Sequence, residues 1–210
     1  MARLWREEGL RCPQKARKRA RLGKSGTDSG RLKATHPDHV WALDFQFDVT
    51  ENGRTLKFLN VIDEFTREVL ATECATSIDS DRAMGILDRL VEGRGSAPGH
   101  LRSDNGPEFV SNAARDWCRF AGTEAVFIEP GAPWQNPYAE SFNGRFRDEF
   151  LSCELFTSPL EARILAEDWR VEYNTLRPHS ALGMMPPADF AASWRRSLQP
   201  HPGLSQGVGA

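Results

Sequence analysis

The chain has 210 residues, 40% hydrophobic and 27% charged, enough for one domain with a core plus extensions. The net charge of −2 hides an asymmetry: residues 1–36 hold 11 Lys/Arg against 3 Asp/Glu, and the remainder 16 against 26. A basic arm on an acidic body points to a polyanionic partner, nucleic acid first, with a solvated tail as the plain alternative. No apolar run approaches the ~18 residues of a membrane span, and no signal peptide is evident, so a cytoplasmic location is expected. Cys12, Cys74, Cys118 and Cys153 contain no CxxC pair, which suggests reduced, mostly buried thiols. His36 and His39 have no cysteine pair at metal-finger spacing, which argues against a zinc site.

In chain order, residues 1–35 read as a basic N-terminal arm and linker. Lys15, Arg17, Lys18, Arg19 and Arg21 form its positive run, and Gly23 to Gly30 is a flexible stretch. From Val40, apolar Trp41, Leu43, Phe45, Phe47 and Val49 alternate with Ala42, Asp44, Gln46 and Asp48, the period of a strand with one polar face. Asn52-Gly53 signals a tight hairpin. A second strand, apolar on both faces, runs to Asp63, and Glu68 to Thr76 makes a third. A helix is expected over 79–93, capped by Ser77 or Asp79, then a short strand over 100–103. A second helix is expected over 112–121 with Trp117 and Phe120 inward, and a last strand over 124–128. Asn136-Pro137 opens a helix, Asn as its cap and Pro at its first position. Its apolar stripe is Phe142, Phe146 and Phe150, while Glu140, Asn143 and Arg147 share another face. A further helix over 158–174 carries Leu160, Ile164, Leu165, Trp169 and Tyr173 as its stripe, and residues 191–210 read as a disordered tail. The order βββαβαβαα, a three-strand meander and then βαβ units, implies an α/β fold: a mixed five-stranded sheet with helices on both faces.

Three acids stand where such a sheet gathers chain ends. Asp44 lies on the polar face of the first strand, Asp104 just past the fourth, and Glu140 one turn into the helix after the fifth. Sites in open α/β sheets sit at the carboxyl ends of strands. Carboxylates gathered there repel unless cations bind, and hard oxygen donors suit Mg²⁺ or Mn²⁺. A pair of such ions promotes in-line displacement at phosphorus. Each acid alone has a plain reading: a surface strand residue, a turn cap in Asp-Asn-Gly, a first-turn helix acid.

At these residues the sequence resembles a known family. Trp41-x-x-Asp44-Phe45, then Ser103-Asp104-Asn105-Gly106-Pro107-Glu108-Phe109, then Gln135-Asn136-Pro137-x-x-Glu140-Ser141-Phe142-Asn143 look like the catalytic core of retroviral-type integrases. Positions 105 to 139, 35 residues, separate Asp104 from Glu140, as in that family's Asp-Asp-Glu signature. Tyr173-Asn174-x-x-Arg177-Pro178-His179-Ser180-Ala181-Leu182-Gly183 is similar to bacterial insertion-sequence transposases of family three, whose longer second reading frame carries the core. The likeness covers residues 36–190.

The resemblance implies a ribonuclease-H-like fold, with Asp44, Asp104 and Glu140 as catalytic ligands of two Mg²⁺ ions and Mn²⁺ as a substitute. It implies strand cleavage by water and then attack by the freed 3′-hydroxyl on another phosphodiester. DNA is the implied partner, as transposon ends and target, with a homo-oligomer assembled on it in the bacterial cytoplasm. Arg147 and Asn143 on the helix, Trp134 and Gln135 in the loop before it, and the basic residues of the arm are the expected DNA contacts. His179 is expected to fix a chain turn. The family carries more helical sequence ahead of the core, and Met1 to Arg21 resembles the end of that region. The expectation is therefore a fragment, or a partner polypeptide that supplies a helix-turn-helix. Three readings stay open: a polynucleotidyl transferase, a hydrolytic nuclease of the same fold, and an inactive DNA-binding remnant.

Overall fold

The computed structural model describes residues 32–129 and 135–198. Five strands, β1 (Val40–Val49), β2 (Thr55–Asp63), β3 (Val69–Ala75), β4 (His100–Ser103) and β5 (Glu124–Phe127), form one sheet in the order β3-β2-β1-β4-β5. The β1–β2 and β2–β3 pairs are antiparallel; β1–β4 and β4–β5 are parallel. Gly53 turns the first hairpin at φ +77°, backbone that favours glycine. Helix α1 (Ser80–Arg94) joins β3 to β4, and α2 (Asn112–Ala121) joins β4 to β5. Asp79 caps α1 through Arg82 N–H at 2.9 Å, and Ser111 caps α2 through Ala114 N–H at 3.1 Å. Helix α3 (Pro137–Phe146) runs into a π-helical turn, Arg147–Leu151, and α4 (Pro159–Thr175) follows. The expected mixed sheet and helix order are therefore present.

The sheet divides the core by the alternation of its side chains. Trp41, Leu43, Leu59 and Val61 pack with α1 and α2 on one face. Ala42, Leu56, Phe58 and Ile62 pack with α3 and α4 on the other. The face of β1 expected to be polar is therefore covered: Ala42 and Gln46 are buried, whereas Phe47 and Val49, past the helices, are exposed. Phe142, Phe146 and Phe150 form the expected stripe. Residues spaced by four drift about 40° per step around an α-helix. The wider π turn, closed by Ser152 N–H to Arg147 C=O at 2.8 Å, lets Phe150 stay on the core side.

Three expectations change. In α2, Ala114, Trp117, Cys118 and Ala121 make the inward stripe, and Phe120 stands 80% exposed. In α4, Leu160 and Ile164 face solvent; Ala162 and Ala166 are buried instead, since small side chains let the helix lie close on β3. Thr72 Oγ1 donates to Ala166 C=O at 3.1 Å across that contact. Finally, a helix α5 (Pro187–Ser197) extends past the boundary expected at residue 190, with Phe190 and Trp194 against Phe65. Cys74 and Cys118 are buried and Cys153 is exposed, all as free thiols; Cys12 lies outside the described residues. Among the described residues no helix is long and apolar enough to cross a membrane.

Phe146→Ala should cost about 3–5 kcal/mol of stability. Phe120→Ala should stay within about 0.5 kcal/mol. Urea denaturation of the two variants measures both.

Candidate active site

The site arises where β4 stops short. Parallel pairing joins Val40, Trp41 and Ala42 to His100, Leu101 and Arg102. Carrying that register two steps on sets Asp44 beside Asp104, which follows the last residue of β4. Beyond Ala42 the edge of β1 has no strand partner, and its backbone groups find others. Leu43 C=O accepts from Asn136 Nδ2 at 3.3 Å, and Phe45 N–H donates to the Asp44 carboxylate at 2.9 Å.

The segment carrying Asp104 is fastened residue by residue. Gly106 N–H donates to Asp104 Oδ1 at 3.0 Å, and a Cβ on Gly106 would meet that oxygen at 3.0 Å. Asn105 Nδ2 donates to Ile128 C=O at 2.7 Å, which ties the turn to the end of β5. Glu108 pairs with Lys57, whose ammonium also donates to Ile78 C=O and lies 3.9 Å from the Phe45 ring centroid. Phe109 is buried and stacks on Phe45 at 5.0 Å.

Glu140 comes from α3, which two asparagines hold to the β1 edge. Asn136 was expected to cap the helix, but its side chain makes no cap hydrogen bond and reaches Leu43 instead. Asn143 Nδ2 donates to Asp44 Oδ2 at 2.5 Å, and Asn143 Oδ1 accepts from Asn60 Nδ2 at 2.9 Å. Gln46 Nε2 donates to Asn143 C=O at 2.9 Å, and Gln46 Oε1 accepts from Asn60 at 3.0 Å. Glu140 lies four residues after Asn136 and three before Asn143, on the helix face that carries both anchors.

Burial pushes the Asp44 carboxyl up to about 6, and the neighbouring Asp104 charge adds to the rise. The Phe45 N–H and the Asn143 amide act in the opposite direction. Glu140 itself is exposed. Among the described residues no three His, Cys, Asp or Glu side chains gather closely enough to hold one ion together. The structure brings Asp44 and Asp104 together and leaves Glu140 exposed on the adjoining helix, on the face that also carries Asn143. The carboxylate pair still suits a hard divalent cation: its donors are oxygens, and the groups that hydrogen-bond to Asp44, Phe45 N–H and the Asn143 amide, are neutral.

Of the other expected contacts, Arg147 is exposed at the start of the π turn. Gln135 Oε1 accepts from Glu129 N–H at 2.9 Å. Trp134 and the arm residues Lys15, Arg17, Lys18, Arg19 and Arg21 lie outside the described residues. His179 sits at the expected turn, where its C=O accepts from Leu182 N–H and Met184 N–H. Sequence reading missed Asn60 and Lys57. Each is a buried polar residue inside the apolar run of β2, and that interruption is the signal that could have found them.

Two family models, each described as "Integrase core domain", match residues 34–133 and 121–187. A 31.7 kDa protein of insertion element IS407 from Burkholderia multivorans is 40% identical over 193 residues, covering 92% of this chain and 68% of the relative. The chain belongs to the integrase core domain family. A 39.2 kDa protein of insertion element IS476 from Xanthomonas euvesicatoria is 42% identical over 97% of this chain, which spans 59% of that relative's length. The transposase for insertion sequence element IS904 from Lactococcus lactis is 26% identical over 83% of this chain and 69% of its own length. Among solved structures, a chain of a simian T-cell lymphotropic virus intasome superposes with TM-score 0.68 at 19% identity, covering 86% of this chain and 63% of that one. The HTLV-2 integrase catalytic core, in complex with magnesium in a trimeric form, gives 0.61 at 16% identity, with 76% and 99% covered. These two likenesses show that this integrase core domain has the retroviral integrase fold.

Asn143→Ala should cost about 1–3 kcal/mol in denaturation, because it leaves the buried Asn60 amide short of a partner. A second test uses His179, whose pKa falls to about 4 through burial and then through the charges of Arg145, Arg177 and Arg67. Between pH 6.5 and 4 the unfolded chain takes up a proton that the native chain refuses, so stability drops as pH falls through that window. His179→Gln should therefore lose less stability than the parent between pH 7.5 and 5.5, read from urea midpoints.

Proposed function

We propose that this integrase core domain is the catalytic core of an insertion-sequence transposase, which cuts DNA strands and joins them at element ends. The observation that carries the reading is the pairing of Asp44 with Asp104 at the open edge of β1, beside a helix that bears Glu140 and is bonded to Asp44 through Asn143. The named transposases among its relatives, and the magnesium complex of a fold neighbour, support it.

Asp44, Asp104 and Glu140 would hold the divalent ions, magnesium first. Bound there, the metal supplies a Lewis acid for the phosphodiester and lowers the pKa of the attacking water or hydroxyl. Asn143 keeps the Asp44 carboxylate in one orientation, and Gly106 N–H does the same for Asp104. Water oxygen bonds to phosphorus and the 3′ oxygen leaves, taking a proton to become a free hydroxyl. That hydroxyl then bonds to a target phosphorus and displaces the target's own 3′ oxygen. Arg147, exposed seven residues beyond Glu140, would grip a backbone phosphate with its guanidinium fork. Trp134 and Gln135 would border the strand, and Lys15, Arg17, Lys18, Arg19 and Arg21 would add phosphate contacts. The reaction needs two ends at once, so the working form would be an oligomer on DNA in the bacterial cytoplasm, with end recognition shared with a partner polypeptide.

A strand-transfer assay on DNA carrying the element's ends, with and without Mg²⁺, tests this. Asp104→Asn and Glu140→Gln should each lower joined product about a hundredfold or more while circular dichroism is unchanged. Joining by either variant at the parent rate would refute the site, and metal-dependent nicks that never yield joined strands would make the chain a hydrolytic nuclease.

A further inference from the structure

A cavity of about 380 Å³ lies on the opposite side of α3 from Glu140. Tyr138, Ser141 and Arg145, spaced by three and four, give α3 a second polar face there. Arg67 reaches the cavity from the β2–β3 turn, and Arg177 and His179 reach it from the chain after α4. Three guanidinium groups from three elements thus line one space, and no lining residue is acidic.

Two side chains there lack the partners their burial calls for. His179 is 9% exposed, and its Nε2 has no hydrogen-bond partner. Arg67 Nη1 is also buried without one. Arg67 holds φ at +64°, which is uncommon for a residue with a Cβ, and its guanidinium lies 3.8 Å from the Tyr138 ring centroid. Glu64 and Asp63 lie near enough to favour the charge on Arg67, although Nη1 donates a hydrogen bond to neither. Asp63 accepts from the backbone of Asp38, Phe65 and Thr66, and Glu64 accepts from Arg102. Glu149, which pairs with Arg177, is not among the lining residues. Buried polar groups without partners are costly, and each calls for an explanation such as a bound ion. The His179 pKa is depressed by burial first and then by the charges of Arg145, Arg177 and Arg67.

We propose that this cavity is a second phosphate site, where Arg67, Arg145 and His179 bind a backbone phosphodiester of the DNA strand. Arg and imidazole N–H groups suit phosphate oxygens, and Tyr138 offers a ring against which a sugar or base can lie. This deepens the transferase reading and rests on it. Glu140 and the cavity occupy opposite sides of one helix about 10–12 Å across, so a single strand can pass from one to the other. The bound phosphate would therefore lie a few nucleotides from the one that reacts.

The test is anisotropy of a labelled oligonucleotide on the full chain, without divalent ion, over a range of chloride concentrations. Arg145→Gln should weaken binding about tenfold, the loss of one charge-assisted contact. It should also reduce the slope of log K against log salt by about one. Arg67→Gln, on another element, should do the same, and it decides if the first variant fails to fold. Arg119→Gln, on exposed α2, should change neither quantity. In a second arm, inorganic phosphate should displace DNA from the parent more than chloride of equal ionic strength, and this difference should vanish in Arg145→Gln. Unchanged affinity and slope in both arginine variants, or equal displacement by the two salts, would overturn the proposal. The assay reads binding alone, so its failure would leave strand transfer untouched, and absent joining would not alter the binding result.

Discussion

The side-chain amide of Asn143 joins helix α3 to the sheet, and the site depends on that contact. It donates to Asp44 and accepts from Asn60, while the Asn143 carbonyl takes the Gln46 amide. Four polar residues are thus hydrogen-bonded to one another beside the phenylalanine stripe, with the Asn60 Nδ2 group shared between Gln46 and Asn143. Networks of this kind favour a single arrangement, because every alternative leaves a buried amide unpaired. The orientation of Asp44 and the docking of the helix that carries Glu140 therefore follow from one set of hydrogen bonds.

The apolar packing works to the same end. Phe142, Phe146 and Phe150 bury one side of α3 and its π turn against Phe58, Phe156 and Trp169. This leaves α3 with three directions: a buried stripe, a face toward the β1 edge, and a face toward the basic cavity. On the other side of the sheet, Phe109 stacks on Phe45 and Glu108 holds Lys57. The loop that carries Asp104 is in this way rooted in the core, although Asp104 itself is exposed.

The basic cavity shows the same economy of position. The Arg177-Pro178-His179 segment makes its turn through backbone bonds to Leu182, Met184 and Met185, which accounts for its structural part. It does not account for three arginines converging on an imidazole with an unpaired nitrogen. A fold under selection for stability alone would replace such groups with apolar ones at little cost.

Local spacing in the sequence determined much of this protein. The alternation in β1, the Asn52-Gly53 turn, the capping Asp79 and the four-residue phenylalanine repeat are all short-range signals, and each appears in the fold. The order of motifs around Asp44, Asp104 and Glu140 was legible for the same reason. Which face a residue takes was decided by tertiary packing. Phe120, Leu160 and Ile164 look like core residues in the text and lie outside, while Gln46, Lys57 and Asn60 look misplaced and lie within. Asn136 has the chemistry of a helix cap, yet it serves an unpaired carbonyl of β1 that only the short β4 strand leaves open. Residues 67, 145 and 179 could be brought to one cavity only by the completed chain path, because nothing in local spacing records contacts across so much sequence.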